Sequence, residues 1–297
     1  YDGLINMLVS SNGSFLTKRN DVRILNNGME KFEALCEDIR NARDHVHVEY
    51  YIIRRDEMGR RFLSLLSAKA REGVEVRLLV DDVGTSLPTE WINELREAGG
   101  KFARFSPSLI PFIPVLNFNI NFRNHRKIVV IDGKIGYLGG FNIGSEYCGM
   151  NPKLGFWRDS HLRIEGCAAL SMQMRFILDW RYAANEDIEV QPKYFPSGME
   201  FPEGVAIQTA SSGPDKRWDV IHEAFMRMIT SARSTVYIQT PYFIPTESIF
   251  DALRIAALSG VDVRIMIPRK RDHILVHWAG LSYLGDLLDA GVRGYLY

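Results

Sequence analysis

Long hydrophobic runs are missing from this sequence of 297 residues. A helix that crosses a bilayer needs about 20 consecutive, mostly apolar residues. The sequence has no such run and no pattern typical of a secretory signal, so we expect no membrane-spanning helix within it. The length suits two domains or one unit built from two related halves. A hydrophobic content of 46% is ordinary for a protein with a substantial core.

Cysteines and net charge are also scarce. The three cysteines, Cys36, Cys148 and Cys167, are odd in number and lack the spacing of a metal site. We therefore expect reduced thiols, no bound metal and no cofactor. The 36 basic and 36 acidic residues cancel, whereas a protein whose main partner is a nucleic acid is expected to carry a basic excess. The composition argues against nucleic acid as a partner.

Acidic residues are absent between Glu97 and Asp132, although basic residues are frequent there. The basic residues of this stretch are Lys101, Arg104, Arg123, Arg126 and Lys127. The local field is therefore expected to be positive, which favours a phosphate as ligand.

The basic stretch ends in the sequence HRKIVVID, residues 125–132. Its apolar centre predicts a buried strand, on which His125 and Lys127 point to the same face because side chains alternate. Asp132 ends the strand and Gly133-Lys134 is a predicted turn. A second apolar run then leads to Gly139-Gly140 and Asn142. The alternative interpretation is a buried hairpin whose His and Lys are incidental.

These residue types suit displacement at a phosphodiester. Imidazole can attack phosphorus or protonate the leaving alkoxide, since its ordinary pKa is about 6.5. Lys127 and Asn142 can hold the non-bridging oxygens as charge redistributes. Gly139 and Gly140 allow a ligand to approach the backbone.

The string HxKxxxxD followed by GGxN resembles the signature of the phospholipase D superfamily. Several further segments are similar to one branch of it, the bacterial cardiolipin synthases. They are Asn121-Phe122-Arg123-Asn124-His125, Gly140-Phe141-Asn142-Ile143-Gly144, Trp157-Arg158-Asp159, Gln239-Thr240-Pro241-Tyr242-Phe243-Ile244-Pro245 and Leu281-Ser282-Tyr283. The resemblance runs from about residue 20 to the last residue.

The resemblance implies a metal-independent phosphatidyl transfer. One motif histidine forms a phosphohistidine, the other protonates the departing alcohol, and two phosphatidylglycerols give cardiolipin and glycerol. It also implies anionic phospholipids and a membrane surface as partners, and a location at the cytoplasmic side of a bacterial membrane. The N-terminal membrane helices usual in that family are not in this sequence, which suggests an incomplete chain. His125 is our predicted nucleophile, although one motif does not decide which histidine attacks.

Other residues of the predicted site have supporting roles. An attacking imidazole needs a hydrogen bond to its second nitrogen, and Asp159, or alternatively Glu146, is the candidate carboxylate. Asp132 belongs to the catalytic motif of the resembled family, but its position at a strand end favours a structural role. Arg123, Glu49 and Gln239 are predicted to contact substrate; the last two occupy equivalent repeat positions and could equally be ordinary polar residues at strand ends. His45 and His47 are predicted to be structural.

A weak internal repeat supports two α/β halves. The order strand, helix, glycine-entry strand, helix, strand occurs from Asp44 and again from Ser234, which predicts layered α/β structure with largely parallel sheets. We expect a phospholipase D-like pair of sheets related by a pseudo-two-fold axis. The predicted bounds are 20–183 for the first half, 184–204 for a linker and 205–297 for a second half that is incomplete.

No second HxK string occurs in the sequence, and three hypotheses follow. One is a cardiolipin synthase-like enzyme impaired by the missing motif. Another is a single-motif nuclease or phosphodiesterase that completes its site as a homodimer. The third is a non-catalytic module that binds anionic lipids.

The apolar segment 109–116 contains two prolines, which argue against a helix or a central strand. It is either a membrane contact or a loop that covers the core.

Overall fold

The computed structural model describes residues 2–105, 123–199, 201–213, 216–270 and 274–297. The chain divides into two compact units. The first unit is Leu16–Thr209, and the second unit combines Tyr1–Phe15 with Ala210–Tyr297. The predicted membrane-contact segment 109–116 lies outside the described residues.

The first unit contains most of the secondary structure. Its strands are β1 (Leu16–Asn27), β2 (His45–Tyr50), β3 (Glu75–Asp81), β4 (Lys101–Phe105), β5 (Lys127–Ile131), β6 (Ile135–Gly139), β7 (Arg158–Glu165) and β8 (Val205–Gln208). Its helices are α2 (Gly28–Asn41), α3 (Glu57–Arg71), α4 (Thr89–Glu97) and α5 (Ala168–Ala184), with a short 3₁₀ helix at Pro192–Tyr194.

The second unit carries α1 (Asp2–Asn12), α6 (Val220–Ser231), β9 (Thr235–Gln239), α7 (Glu247–Leu258), β10 (Asp262–Ile267), α8 (Ile274–Leu288) and β11 (Arg293–Leu296). Its three strands form a parallel sheet in the order β11-β10-β9. Helix α8 is largely apolar along its 15 residues.

The sheet of the first unit has the strand order β4-β3-β2-β5-β6-β7-β1-β8. The α/β class is confirmed, but this sheet is mixed rather than largely parallel. Strands β2, β3 and β4 are parallel, and every pairing from β2-β5 to β1-β8 is antiparallel. The prediction failed here because a tight turn such as that between β5 and β6 can join only antiparallel strands.

Both faces of this sheet are covered, and β2 is accordingly buried at every position. Side chains of α2, α3 and α4, such as Phe32 and Phe62, form the core on one face. Helix α5 packs on the other face through Phe176 and Trp180. Strands buried on two faces read as continuous apolar runs, which is the pattern that predicted β5.

The predicted repeat is visible in the two parallel sheets. The sequence β2-α3-β3-α4-β4 matches β9-α7-β10-α8-β11, and both sheets have the same strand order. Each helix is followed by a glycine with φ near +90°, for example Gly73 after α3 and Gly260 after α7. In both cases the next backbone N–H also turns back to a helix carbonyl, which is a glycine C-cap.

The compact units have different bounds from the predicted halves. Strand β8 pairs with β1, so residues 205–208 lie in the first unit. The predicted linker also packs there, since Ile188 and Tyr194 are buried against α5. No helix in the described ranges is long and apolar enough to cross a membrane.

Candidate active site

His125 and Lys127 lie at the start of β5, next to the aromatic ring that follows β2. The His125 ring lies 4.6 Å from the Tyr51 ring, and the Lys127 ammonium lies 5.2 Å from the same ring centroid. Lys127 Nζ also donates to the His125 carbonyl at 2.7 Å. Tyr51 therefore lies against the side chains of both His125 and Lys127, which the sequence predicted to share one face. The Thr85 hydroxyl donates to the Tyr51 carbonyl at 2.8 Å.

Burial sets the charge states of this pair. Burial lowers the pKa of Lys127 from 10.5 to about 8, although the Asp159 and Asp81 carboxylates oppose the shift. Partial burial, and then the Lys127 charge, lower the pKa of His125 below 6.5. At neutral pH His125 therefore carries a free lone pair beside a cation, as a nucleophile that attacks a phosphodiester requires.

The carboxylate of Asp159 lies against the glycine pair. A Cβ added at Gly140 would overlap this carboxylate, and one added at Gly139 would overlap the backbone of His161. The space above both glycines is therefore filled by β7, whereas the sequence suggested room for a ligand. Burial raises the pKa of Asp159, while the Ser160 N–H donates to its Oδ1 at 2.7 Å. The described residues contain no hydrogen bond between Asp159 and the His125 ring, so the orienting role stays a prediction.

Asn142 and Glu146 bridge other segments. Asn142 Oδ1 accepts a hydrogen bond from the Ile52 N–H at 3.2 Å, which ties the end of β6 to the segment after β2. Glu146 forms an ion pair with Arg54 at 2.8 Å. Because its charge is already neutralised, Glu146 is a weaker candidate than Asp159 for orienting the imidazole.

Asp132 lies at the far end of β5 from His125. Strand residues rise about 3.3 Å each, so the seven positions between them correspond to roughly 20 Å. The Asp132 carboxylate accepts backbone hydrogen bonds from Arg43, Asp44 and His45 at 2.8–3.2 Å. With φ values of 53° and 63°, Asp132 and Gly133 form the tight turn into β6. These contacts favour the anchoring role that the position of Asp132 suggested over the catalytic role that the family motif implies.

Glu49 faces the interior of the protein, although the sequence predicted that it contacts substrate. Its side chain is only 1% exposed, and Oε1 accepts from Asn124 Nδ2 at 2.5 Å. Glu49 is buried because β2 is covered on both faces, which argues against a direct substrate contact. Arg123 is exposed just before the strand, and Gln239 is exposed at the end of β9 in the second unit; their substrate contacts stay predictions.

The remaining histidines of β2 have the predicted structural character. His45 and His47 are fully buried and bond the Gln173 amide at 3.1 Å and 2.8 Å. Burial lowers the pKa of His45 to about 4.

The three cysteines are free thiols. In the described part of the chain, no group of three or more His, Cys, Asp or Glu residues could hold a metal ion.

A buried lysine lies behind the site. Lys31 on α2 is 1% exposed, and its ammonium donates to the Tyr50 hydroxyl at 2.6 Å. Burial lowers the pKa of Lys31 from 10.5 to about 7, and the Lys127 charge acts in the same direction. No local pattern in the sequence indicates that this lysine is buried, because it occupies the apolar face of an otherwise ordinary helix.

Replacing Lys31 with Met should stabilise the protein most at low pH. Below pH 7 the lysine is charged in both the folded and the unfolded chain, so its full burial penalty applies. Between pH 7 and 10.5 the unfolded chain binds more protons, and the free energy of unfolding of the unsubstituted protein rises with pH. We expect a gain of about 1–3 kcal/mol at pH 6, which disappears near pH 10. Urea unfolding at both pH values measures it; a gain independent of pH would contradict the assigned charge state.

The fold and the site together define a phospholipase D-like protein with one HxK strand. The family described as "Cardiolipin synthase, PLD-like domain" matches residues 35–164 and 225–297. The major cardiolipin synthase ClsA of Bacillus subtilis is 48% identical over 297 residues, covering 99% of this chain and 61% of the relative. The cardiolipin synthase of Staphylococcus aureus strain Mu50 is 50% identical over 296 residues, covering 99% of this chain and 59% of the relative.

A solved structure supports the fold. The phosphatidylserine synthase of Haemophilus influenzae superposes with a TM-score of 0.66 at 15% identity, covering 96% of this chain and 72% of that chain. The chain belongs to the cardiolipin synthase family of phospholipase D-like proteins. It spans about three fifths of the length of the curated bacterial relatives that it matches.

Proposed function

We propose that this chain contributes half of a metal-independent phosphatidyltransferase site that joins two phosphatidylglycerols into cardiolipin and glycerol. The observation that carries the proposal is the pairing of a neutral His125 with the cationic Lys127 around Tyr51. The kinship with bacterial cardiolipin synthases supports the choice of substrate.

The reaction proceeds in two displacements. A His125 ring nitrogen attacks phosphorus of the first phosphatidylglycerol, and the bond to glycerol breaks as a second histidine protonates the leaving alkoxide. The terminal hydroxyl of the second phosphatidylglycerol then attacks the phosphohistidine, loses its proton to the second histidine and releases His125. Covalent catalysis of this kind replaces one difficult step with two easier ones and permits transfer instead of hydrolysis.

The surrounding side chains have matching roles. Lys127 neutralises the non-bridging oxygens, with Arg123 and the Asn142 amide as further donors. Asp159, which already interacts with Lys127, is the proposed partner of the second His125 nitrogen. Gly139 and Gly140 keep β7 close enough to hold Asp159 in place.

None of the other six histidines has a lysine two positions later, so the proposal requires a second histidine in addition to those of one copy of this sequence. A further segment of the chain or a second copy in a homo-oligomer can provide it. The proposed substrates imply action at the surface of an anionic bacterial membrane. The family resemblance favours its cytoplasmic side, and segment 109–116 is the proposed lipid contact.

The test is a product assay on vesicles of phosphatidylglycerol. The chain is incubated alone and together with a separately expressed segment of a bacterial relative that carries the second motif. Cardiolipin and glycerol formed in equal amounts support the proposal. Phosphatidic acid without cardiolipin would indicate hydrolysis, and cleavage of a diester dye or DNA without lipid turnover would indicate the nuclease alternative; either result overturns the transferase assignment.

A further inference from the structure

Three buried polar side chains lie near the start of β5, where His125 is located. Glu49 on β2, Asn124 before β5 and Asp179 on α5 are each no more than 3% exposed. Asn124 precedes His125 in sequence, so its orientation sets the direction in which β5 begins. Buried polar groups require partners, since an unsatisfied one costs about 1–3 kcal/mol.

Three polar groups of Asn124 have defined partners. Its backbone N–H donates to Asp81 Oδ2 at 2.9 Å, and its Oδ1 accepts from the Arg126 N–H at 3.1 Å. Its Nδ2 donates to Glu49 Oε1 at 2.5 Å. Asn124 is therefore held by residues of β2 and β3 and by the chain that follows it, and the third contact depends on Glu49.

The other oxygen of Glu49, Oε2, is buried and has no hydrogen-bond donor among the described residues. The buried carboxyl group of Asp179 acts electrostatically on Glu49. Two interacting carboxyl groups in a buried site disfavour double ionisation, so that one of them holds a proton. Asp179 is paired with Arg175 at 2.9 Å and with Arg126 at 3.2 Å. Asp179 is therefore the ionised partner, and the proton resides on Glu49.

We infer that Glu49 is a neutral positioning residue that donates its proton to Asp179 and accepts a hydrogen bond from Asn124, thereby fixing His125 for attack on phosphate. Burial, and then the Asp179 charge, raise the pKa of Glu49 well above its ordinary range, in agreement with the geometry. An ionised Glu49 would add a negative charge under a nucleophile that must meet an anionic substrate. The positioning role depends on the proposed phosphatidyl transfer, whereas the protonation state does not.

Glu49→Gln is the matched variant, because its amide oxygen can accept from Asn124 while its NH₂ donates to Asp179. Glu49→Leu has a similar size and can do neither. Infrared spectra near pH 7 should show the carbonyl band of a protonated carboxyl group in the unsubstituted protein, and this band should be missing in Glu49→Gln. The same band in Glu49→Gln would overturn the inference.

The positioning role is tested on His125 itself. The NMR titration of the His125 ring should be unchanged in Glu49→Gln and shifted in Glu49→Leu. In the active assembly, Glu49→Gln should keep kcat within about twofold, while Glu49→Leu should lower it about 10- to 100-fold with little change in KM. Equal damage by both variants would overturn the role. If neither the unsubstituted protein nor either variant forms cardiolipin, the proposed function fails. The infrared band still decides the protonation state of Glu49 in that case.

Discussion

Replacing His125 with alanine should abolish phosphatidyl transfer. The substitution removes the atom that bonds to phosphorus, and neighbouring residues of the described site offer no second nucleophile, since Lys127 is committed to the His125 carbonyl and positioned beside Tyr51. We expect the rate of cardiolipin formation in the active assembly to fall at least about 10⁴-fold. Because His125 is exposed, the melting temperature should change little.

Covalent labelling makes this test specific. Phosphatidylglycerol with radioactive phosphorus should leave an acid-labile, alkali-stable label on the unsubstituted chain and none on His125→Ala. His222→Gln is the control, since this partly exposed histidine bonds Thr246 and Ser248 within the second unit. Label retained by His125→Ala would place the nucleophile elsewhere and contradict the assignment.

Asp132→Ala should have the largest effect on stability. The carboxylate accepts backbone hydrogen bonds from three successive residues before and at the start of β2, and hydrogen bonds to charged groups are worth about 1.5–3 kcal/mol each in net terms. Alanine also tolerates the φ of 53° poorly. We expect the free energy of unfolding to fall by about 2–4 kcal/mol, with a loss of about 5–12 °C in melting temperature.

Asp132→Asn separates the two contributions. Asparagine tolerates the left-handed conformation and keeps one acceptor oxygen, so its loss should be about half that of alanine. Both variants should retain normal transfer per folded molecule, because Asp132 lies at the opposite end of β5 from His125. A folded Asp132→Asn protein with no transfer and an unchanged melting temperature would restore the catalytic assignment.

Local features of the chain were predictable because they depend on neighbouring residues. The apolar run after Lys127 is a buried strand, the Asp132-Gly133 pair forms the tight turn, and glycines end the helices of both repeats. The shared face of His125 and Lys127 follows from strand periodicity alone. The family resemblance also rested on such short strings, and the comparisons confirm it.

Predictions that required knowledge of distant neighbours were less successful. Glu49 reads as a polar strand residue near aromatic side chains, but α5 and Asn124 enclose it. The glycine pair suggested open space, yet β7 places Asp159 there. No local pattern in the sequence predicted the roles of Tyr51, Asp81 and Lys31. Each of these residues contacts the site through an element more than 15 positions away in the sequence.

The sequence by itself determined the family, the order of strands and helices, the single HxK strand and the turn that ends it, since periodicity, glycine positions and turn chemistry act over a few residues. The tertiary structure alone decided the mixed sheet, the anchoring by Asp132, the neutral charge state of the His125 ring and the burial of Glu49 and Asp179. These depend on which strands pair and which helices cover them. Burial then sets charge, because a low-dielectric interior disfavours every ion that lacks a partner.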